Sequence, residues 1–151
     1  MTDDRQARAL RDALRRMIVA HGALDEARRP CGARLSAPHA WALLELRDGC
    51  SMTVTELAER LQVDRTNVSR LVARMASLGE IERVPHPGDG RARPVRLTGR
   101  GTRLAQAVDR SSAEHFASLL GRLDRGASEV VGALEALTRA MTKTPSKESC
   151  A

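Results

Sequence analysis

Aromatic residues are almost missing from this chain: one Trp, one Phe and no Tyr in 151 residues. Readers of single-stranded nucleic acid stack bases on aromatic rings, so an RRM-type or OB-type reader is disfavoured. Lysine is nearly as scarce. Of the 25 basic residues only Lys143 and Lys147 are lysine, and the others are arginine. No apolar run approaches the roughly 18 residues a membrane span needs, and no membrane is expected as a partner. Cys31, Cys50 and Cys150 are odd in number and lack metal-ligand spacing. With no secretory signal pattern, they make a reducing cytoplasm the expected location. Catalytic signatures are also missing: there is no nucleophile elbow, no phosphate loop with its Lys and no HExxH. Neither enzyme activity nor a cofactor is expected.

What the chain does have is apolar content of 42%, a net charge of +6 and a pI near 10.4. The first is enough for a packed domain. The charge balance points to a polyanion, and arginine suits bidentate contacts with phosphate and guanine. Apolar periodicity predicts six helices. Residues 3–28 carry Leu10, Leu14, Met17, Ile18, His21 and Leu24 on one stripe. After RRPCG, Ser36 is placed to cap a second helix, with Pro38 in its first turn and Leu43, Leu44 and Leu46 on its buried side. The run 48–51 reads as a loop. Thr53-x-x-Glu56 forms a capping-box pattern ahead of a third helix, with Thr55 as the alternative cap. Asp64 caps a fourth, which Gly79 ends. Thr98 opens a long fifth helix, and Val130, Val131, Leu134, Leu137 and Met141 mark the sixth.

Between the fourth and fifth helices, Ile81–Val84 and Arg91–Leu97 read as a β-hairpin around the tip HPGDG. Pro94 cannot donate a ladder hydrogen bond, which makes the second strand an edge. Arg91, Arg93, Arg96 and Arg100 crowd into ten residues, where like charges repel. The fourth helix faces the core with Val68, Leu71, Val72, Met75 and Leu78. Its opposite face holds Thr66, Ser69, Arg70, Ala73 and Ser77, flanked by Asn67 and Arg74. A small polar face with two arginines suits a major groove about 12 Å wide, where Arg pairs with guanine and Asn with adenine. An arginine-rich hairpin beside it suits the negative potential of a minor groove. The plainer reading, a charged edge that only blocks aggregation, does not account for the helix and hairpin together.

The stretches LSAPHAWALLEL, TELAERLQVDRTNVSRLVARMASLGEIERV and DGRARPVRLTGRG resemble the MarR family of bacterial transcriptional regulators. The family's wing pattern D-x-R-x-x-x-V-x-L-T-x-x-G is matched by Asp89, Arg91, Val95, Leu97, Thr98 and Gly101, and the similarity spans roughly residues 8–141. One departure is SLGEIER: the family usually carries a basic residue before this Gly and an apolar one after it, so Glu80 is expected to alter backbone contacts. The resemblance implies a mainly α, winged helix-turn-helix chain. Residues 1–35 and 98–142 would form a helical dimerisation lobe from both termini, residues 36–97 the DNA-binding lobe, and 143–151 a flexible tail. It implies a homodimer on palindromic double-stranded DNA, a repressor released by a small-molecule effector. The expected DNA-binding residues are Thr53, Thr66, Asn67, Ser69, Arg70, Arg74, Asp89, Arg91, Arg93 and Arg96. Arg91 would enter the minor groove, and Asp89 would hold the wing by pairing with a nearby Arg. An effector would lie near His21, Arg28, His39 and Trp41.

Three other readings compete. Cys31 sits among Arg28, Arg29 and Arg34, whose charge favours a reactive thiolate, so a redox-responsive regulator of the same fold is one alternative. Branches of the family that sense peroxide use tyrosines to orient the thiolate, and this chain has none. A zinc-responsive regulator would need Glu26, Cys31, His39, Glu114 and His115 to converge, yet Glu114-His115 has Ser111 one turn earlier rather than a second His. The third is a winged-helix protein-interaction module without DNA recognition.

Overall fold

Side-chain caps decide where two of the central helices begin. Thr53 Oγ1 accepts from the Glu56 N–H at 3.2 Å, while the Glu56 carboxylate accepts from the Thr53 N–H at 2.7 Å. Eleven residues on, Asp64 Oδ1 accepts from the N–H groups of Thr66 and Asn67 at 2.8 and 3.3 Å. Each cap satisfies donors that the first helical turn leaves without a partner. In the computed structural model, which describes residues 4–22, 35–86, 88–91 and 93–142, the elements are α1 (Asp4–His21), α2 (Ala37–Glu45), α3 (Val54–Leu61), α4 (Arg65–Ser77), β1 (Ile81–Arg83), β2 (Val95–Leu97), α5 (Gly99–Leu120) and α6 (Ala127–Thr142). The chain is mainly helical, with six helices and an antiparallel hairpin among the described residues, as the sequence pattern requires. Two units divide it, residues 1–115 and 116–151, the boundary falling inside α5.

In the first unit the core joins α2, α3, α4, the hairpin and the first half of α5. Leu43, Leu46, Leu57, Val68, Val72, Met75, Val95 and Val108 are its largest fully buried side chains. Leu78 departs from the expected stripe: as the C-cap of α4 it is 40% exposed. Gly79 then takes φ +70°, and the Glu80 N–H returns to the Met75 carbonyl at 3.0 Å, closing α4 with a glycine in the left-handed region.

The hairpin pairs Ile81 with Leu97, Glu82 with Arg96 and Arg83 with Val95. Its strands are shorter than the sequence pattern suggests, although the Val84 N–H still reaches the Pro94 carbonyl at 2.8 Å. The second strand is also not a simple edge. Met52 and Val95 exchange both backbone hydrogen bonds, at 3.0 and 2.8 Å. Met52, which follows the 48–51 run read as a loop, thus ties β2 down on its far side.

Thr98 and Gly101 explain the end of the wing pattern. Thr98 Oγ1 accepts from the Gly101 N–H at 3.1 Å and donates to the Gly79 carbonyl at 2.7 Å. A Cβ on Gly101 would lie 1.9 Å from the Glu80 carbonyl oxygen, so only glycine permits this approach of α5 to the chain leaving α4. Elsewhere in this unit α1 buries no residue, and Leu10, Met17 and Val19 on it are about half exposed. In the second unit, the last turn of α5 exposes Phe116, Leu119 and Leu120, and α6 exposes Val131, Leu134 and Met141. No described helix is long and apolar enough to cross a membrane.

Candidate nucleic-acid interface

The two faces of α4 differ as its sequence requires. Val68, Val72 and Met75 are buried, while Thr66, Asn67, Ser69, Arg70, Ala73, Arg74 and Ser77 are exposed. The Asp64 cap fixes the first turn, so Thr66 and Asn67 sit on ordered backbone. Arg70 and Arg74 follow on the same exposed side, one turn apart.

The wing holds itself together through side chain to backbone bonds. Asp89 Oδ1 accepts from the Arg91 N–H at 2.9 Å. Asp89 therefore steadies Arg91 through its backbone, whereas the sequence suggested pairing with an arginine side chain. Arg96 is engaged instead with Glu82, its partner across the hairpin, with Nε donating to Oε1 at 2.8 Å. His86 Nδ1 accepts from the N–H groups of Gly88 and Asp89 at 3.0 and 2.9 Å. Arg91 and Arg93 are exposed. Among the described residues, neither they nor Arg70 and Arg74 form an ion pair with a carboxylate. Arg47 and Arg96, by contrast, are paired with Asp109 and Glu82. The cations of α4 and the wing tip are thus left available for an external anion.

Thr53 is half-buried and its hydroxyl is taken up by the capping box, where it also donates to Glu56 Oε2 at 3.0 Å. These Thr53 bonds, backbone first, hold the Glu56 carboxyl below its ordinary value of 4.5.

His39 is buried, and its Nε2 lies 2.6 Å from Glu80 Oε2, with both side chains about 5% exposed. Glu80, expected to alter backbone contacts at the end of α4, is turned inward to His39 on α2. A buried carboxylate needs such a partner, and the departure from the family's pattern at Glu80 was the only sequence signal of it. His21 and Trp41 are exposed. Arg28, Cys31 and Glu26 lie outside the described residues. Among the described residues no three metal-ligating side chains form a cluster. A cavity of about 180 Å³ between the loop after α2 and α5 is lined by Arg47, Asp48, Thr102, Ala105, Gln106 and Asp109, none of them an expected effector residue.

Comparison with known proteins agrees with this geometry. Residues 35–92 match the MarR family pattern. An uncharacterised HTH-type transcriptional regulator of Mycobacterium bovis is 33% identical over 90 residues, 60% of this chain and 63% of that protein. The match thus spans less than two thirds of that relative's length. A MarR family protein from Bacillus stearothermophilus superposes with a TM-score of 0.69 at 25% identity, covering 95% of this chain and all of that one. BpsR of Bordetella bronchiseptica, whose DNA binding is regulated by 6-hydroxynicotinic acid, gives 0.67 at 22% identity over 91% of this chain and 93% of that one. With a winged segment that matches the family pattern over residues 35–92 and a fold similar to that of a MarR family protein along nearly its whole length, the chain is similar to MarR family winged helix-turn-helix regulators.

Proposed function

We propose that this protein regulates transcription by binding palindromic double-stranded DNA as a homodimer, as a repressor that a small ligand releases. The observation that carries the reading is the set of exposed arginines without carboxylate partners on α4 and the wing tip, Arg70, Arg74, Arg91 and Arg93. In this reading α4 enters the major groove, with Thr66, Asn67, Ser69 and Arg70 at base edges and Arg74 nearer the backbone. Arg91 enters the adjoining minor groove, with Arg93 on phosphates. Arg96, held by Glu82, and Thr53, held in its cap, lie at the margin of the contact.

Dimerisation is supported by the apolar side chains left exposed on α1, on the end of α5 and on α6. Surfaces of that kind on a soluble chain mark an interface. Residues 1–35 and 98–142 would supply the dimer lobe and residues 36–97 the DNA lobe. A two-fold dimer places its two α4 helices about one helical turn of DNA apart, roughly 34 Å. Release by a ligand rests on the fold shared with BpsR.

The test is a selection of bound duplexes from a random pool, repeated with Asn67→Ala and Arg70→Ala. The wild type should return a palindrome, and each variant should relax preference at one symmetric pair of positions, costing about 1–3 kcal/mol there. An unchanged consensus from both variants would remove α4 from base reading. Absence of any enriched duplex would favour a protein-interaction module.

A further inference from the structure

The wing tip contains a histidine that the DNA-binding reading leaves without a task. From the hydrogen bonds around it, we infer that His86 is the positioning residue of the wing: its neutral imidazole folds the tip that presents Arg91, so duplex binding weakens when the ring is protonated. This rests on the DNA-binding reading above and adds to it a residue and a pH response.

His86 Nδ1 accepts from two successive backbone donors, the Gly88 and Asp89 N–H groups at 3.0 and 2.9 Å. Asp89 Oδ1 then accepts from the Arg91 N–H at 2.9 Å. The two side chains form a relay, imidazole to residues 88 and 89 and carboxylate to residue 91, that bends the chain between the strands. Asparagine commonly does this with its side-chain oxygen, bonding the backbone two residues on. In histidine the equivalent atom is Nδ1, likewise bonded to Cγ. A nitrogen that accepts must carry a lone pair, so the tip requires the ring neutral with its proton on Nε2. Protonation puts a hydrogen on Nδ1, removes the acceptor and sets it against two N–H donors.

Charged groups of both signs lie around the ring. Glu56 at the start of α3 is close enough to interact electrostatically with His86, and Asp89 lies in the tip itself. Both are acidic, and Arg91 and Arg93 of the same tip are basic. DNA phosphates attract an imidazolium, so a histidine acting only through charge would strengthen binding as pH falls. The lone-pair role predicts the opposite sign.

The experiment uses the full chain as wild type, His86→Asn and His86→Ala, with circular dichroism confirming the fold. Backbone ¹⁵N relaxation of Gly88, Asp89 and Arg91 is measured at pH 8 and pH 5.5, which span the range where histidines titrate. Wild type should have these amides as ordered as β1 at pH 8 and mobile at pH 5.5. His86→Asn should be ordered at both and His86→Ala mobile at both. Affinity for a random duplex should fall roughly threefold to tenfold in His86→Ala at pH 8. The wild type should lose a similar factor from pH 8 to 5.5 relative to His86→Asn, which corrects for the other histidines. An ordered tip in His86→Ala, a mobile one in His86→Asn, or tighter wild-type binding at pH 5.5 relative to His86→Asn would overturn the inference. If no variant binds duplex, the DNA-binding reading fails while the relaxation data still decide whether His86 folds the tip.

Discussion

The winged segment and the terminal helices use the same kinds of residue to different ends. In the winged segment, Leu43, Leu46, Leu57, Val72 and Met75 are buried, and side chains of the same chain cap α3 and α4, although Ser36, at the expected cap position of α2, makes no side-chain cap bond. On α1 and α6 the leucines, valines and methionines recur at helical spacing, yet neither helix buries a residue. The first pattern makes a structure complete in one chain. The second makes a surface whose burial needs a partner, and in the proposed homodimer that partner is a second copy. Stability of the winged segment should therefore respond to local packing, and that of the terminal helices to protein concentration.

The most damaging change to the winged side of this contrast is Gly101→Val. Its Cβ would meet the Glu80 carbonyl at 1.9 Å, and the loss should be on the order of 3 kcal/mol in a thermal or urea melt. A melt like that of wild type would mean the approach of α5 to Glu80 is not as close as described. On the other side, Leu134→Asp puts a charge on an exposed apolar position of α6. It should raise the dimer dissociation constant by about a hundredfold or more in sedimentation, leaving amide protection in α2, α3 and α4 in place. If that protection disappears along with the dimer, the contrast between the regions is false.

Smaller effects sharpen the account. Glu80→Ala leaves buried His39 without its partner and should cost about 1–3 kcal/mol. The pair His39→Leu with Glu80→Leu should cost less than the two single changes added, because neither buried polar group is then stranded. Additive costs in the double-mutant cycle would show that the two side chains do not interact. Smallest is Glu56→Gln. The folded state holds this carboxyl below 4.5, so its contribution is fully present above that pH and lost as pH falls through the lower folded value. Gln keeps the capping geometry without titrating. The variant should match wild type at neutral pH and show a flatter loss of stability below pH 4.5 in acid melts; an identical acid profile would contradict the assignment.

What could be read from the sequence follows how local each interaction is. Thr53 with Glu56, Asp64 with the next turn and Gly79 after α4 act over two to five residues, and their patterns carry the geometry. The wing pattern from Asp89 to Gly101 was legible as well, although the reason for Gly101 is a carbonyl 21 positions earlier in the chain. The bridge between Met52 and Val95 and the pair His39–Glu80, 41 residues apart, depend on packing that no local pattern encodes. Leu78 fits the apolar stripe of α4 yet lies at its C-cap, where the helix ends and the core no longer covers it. Among the wing arginines, sequence could not separate Arg93 from Arg96 as the partner of Asp89. The register that sets Glu82 opposite Arg96 does so.

The central claim, that exposed arginines of α4 and the wing neutralise DNA phosphates, is tested most directly by the salt dependence of duplex affinity. The logarithm of the association constant should fall linearly with the logarithm of salt concentration, with a slope of about −0.9 per phosphate contacted, and Arg91→Ala should make the slope shallower by about one. A flat dependence, or no binding even in dilute buffer, would contradict it.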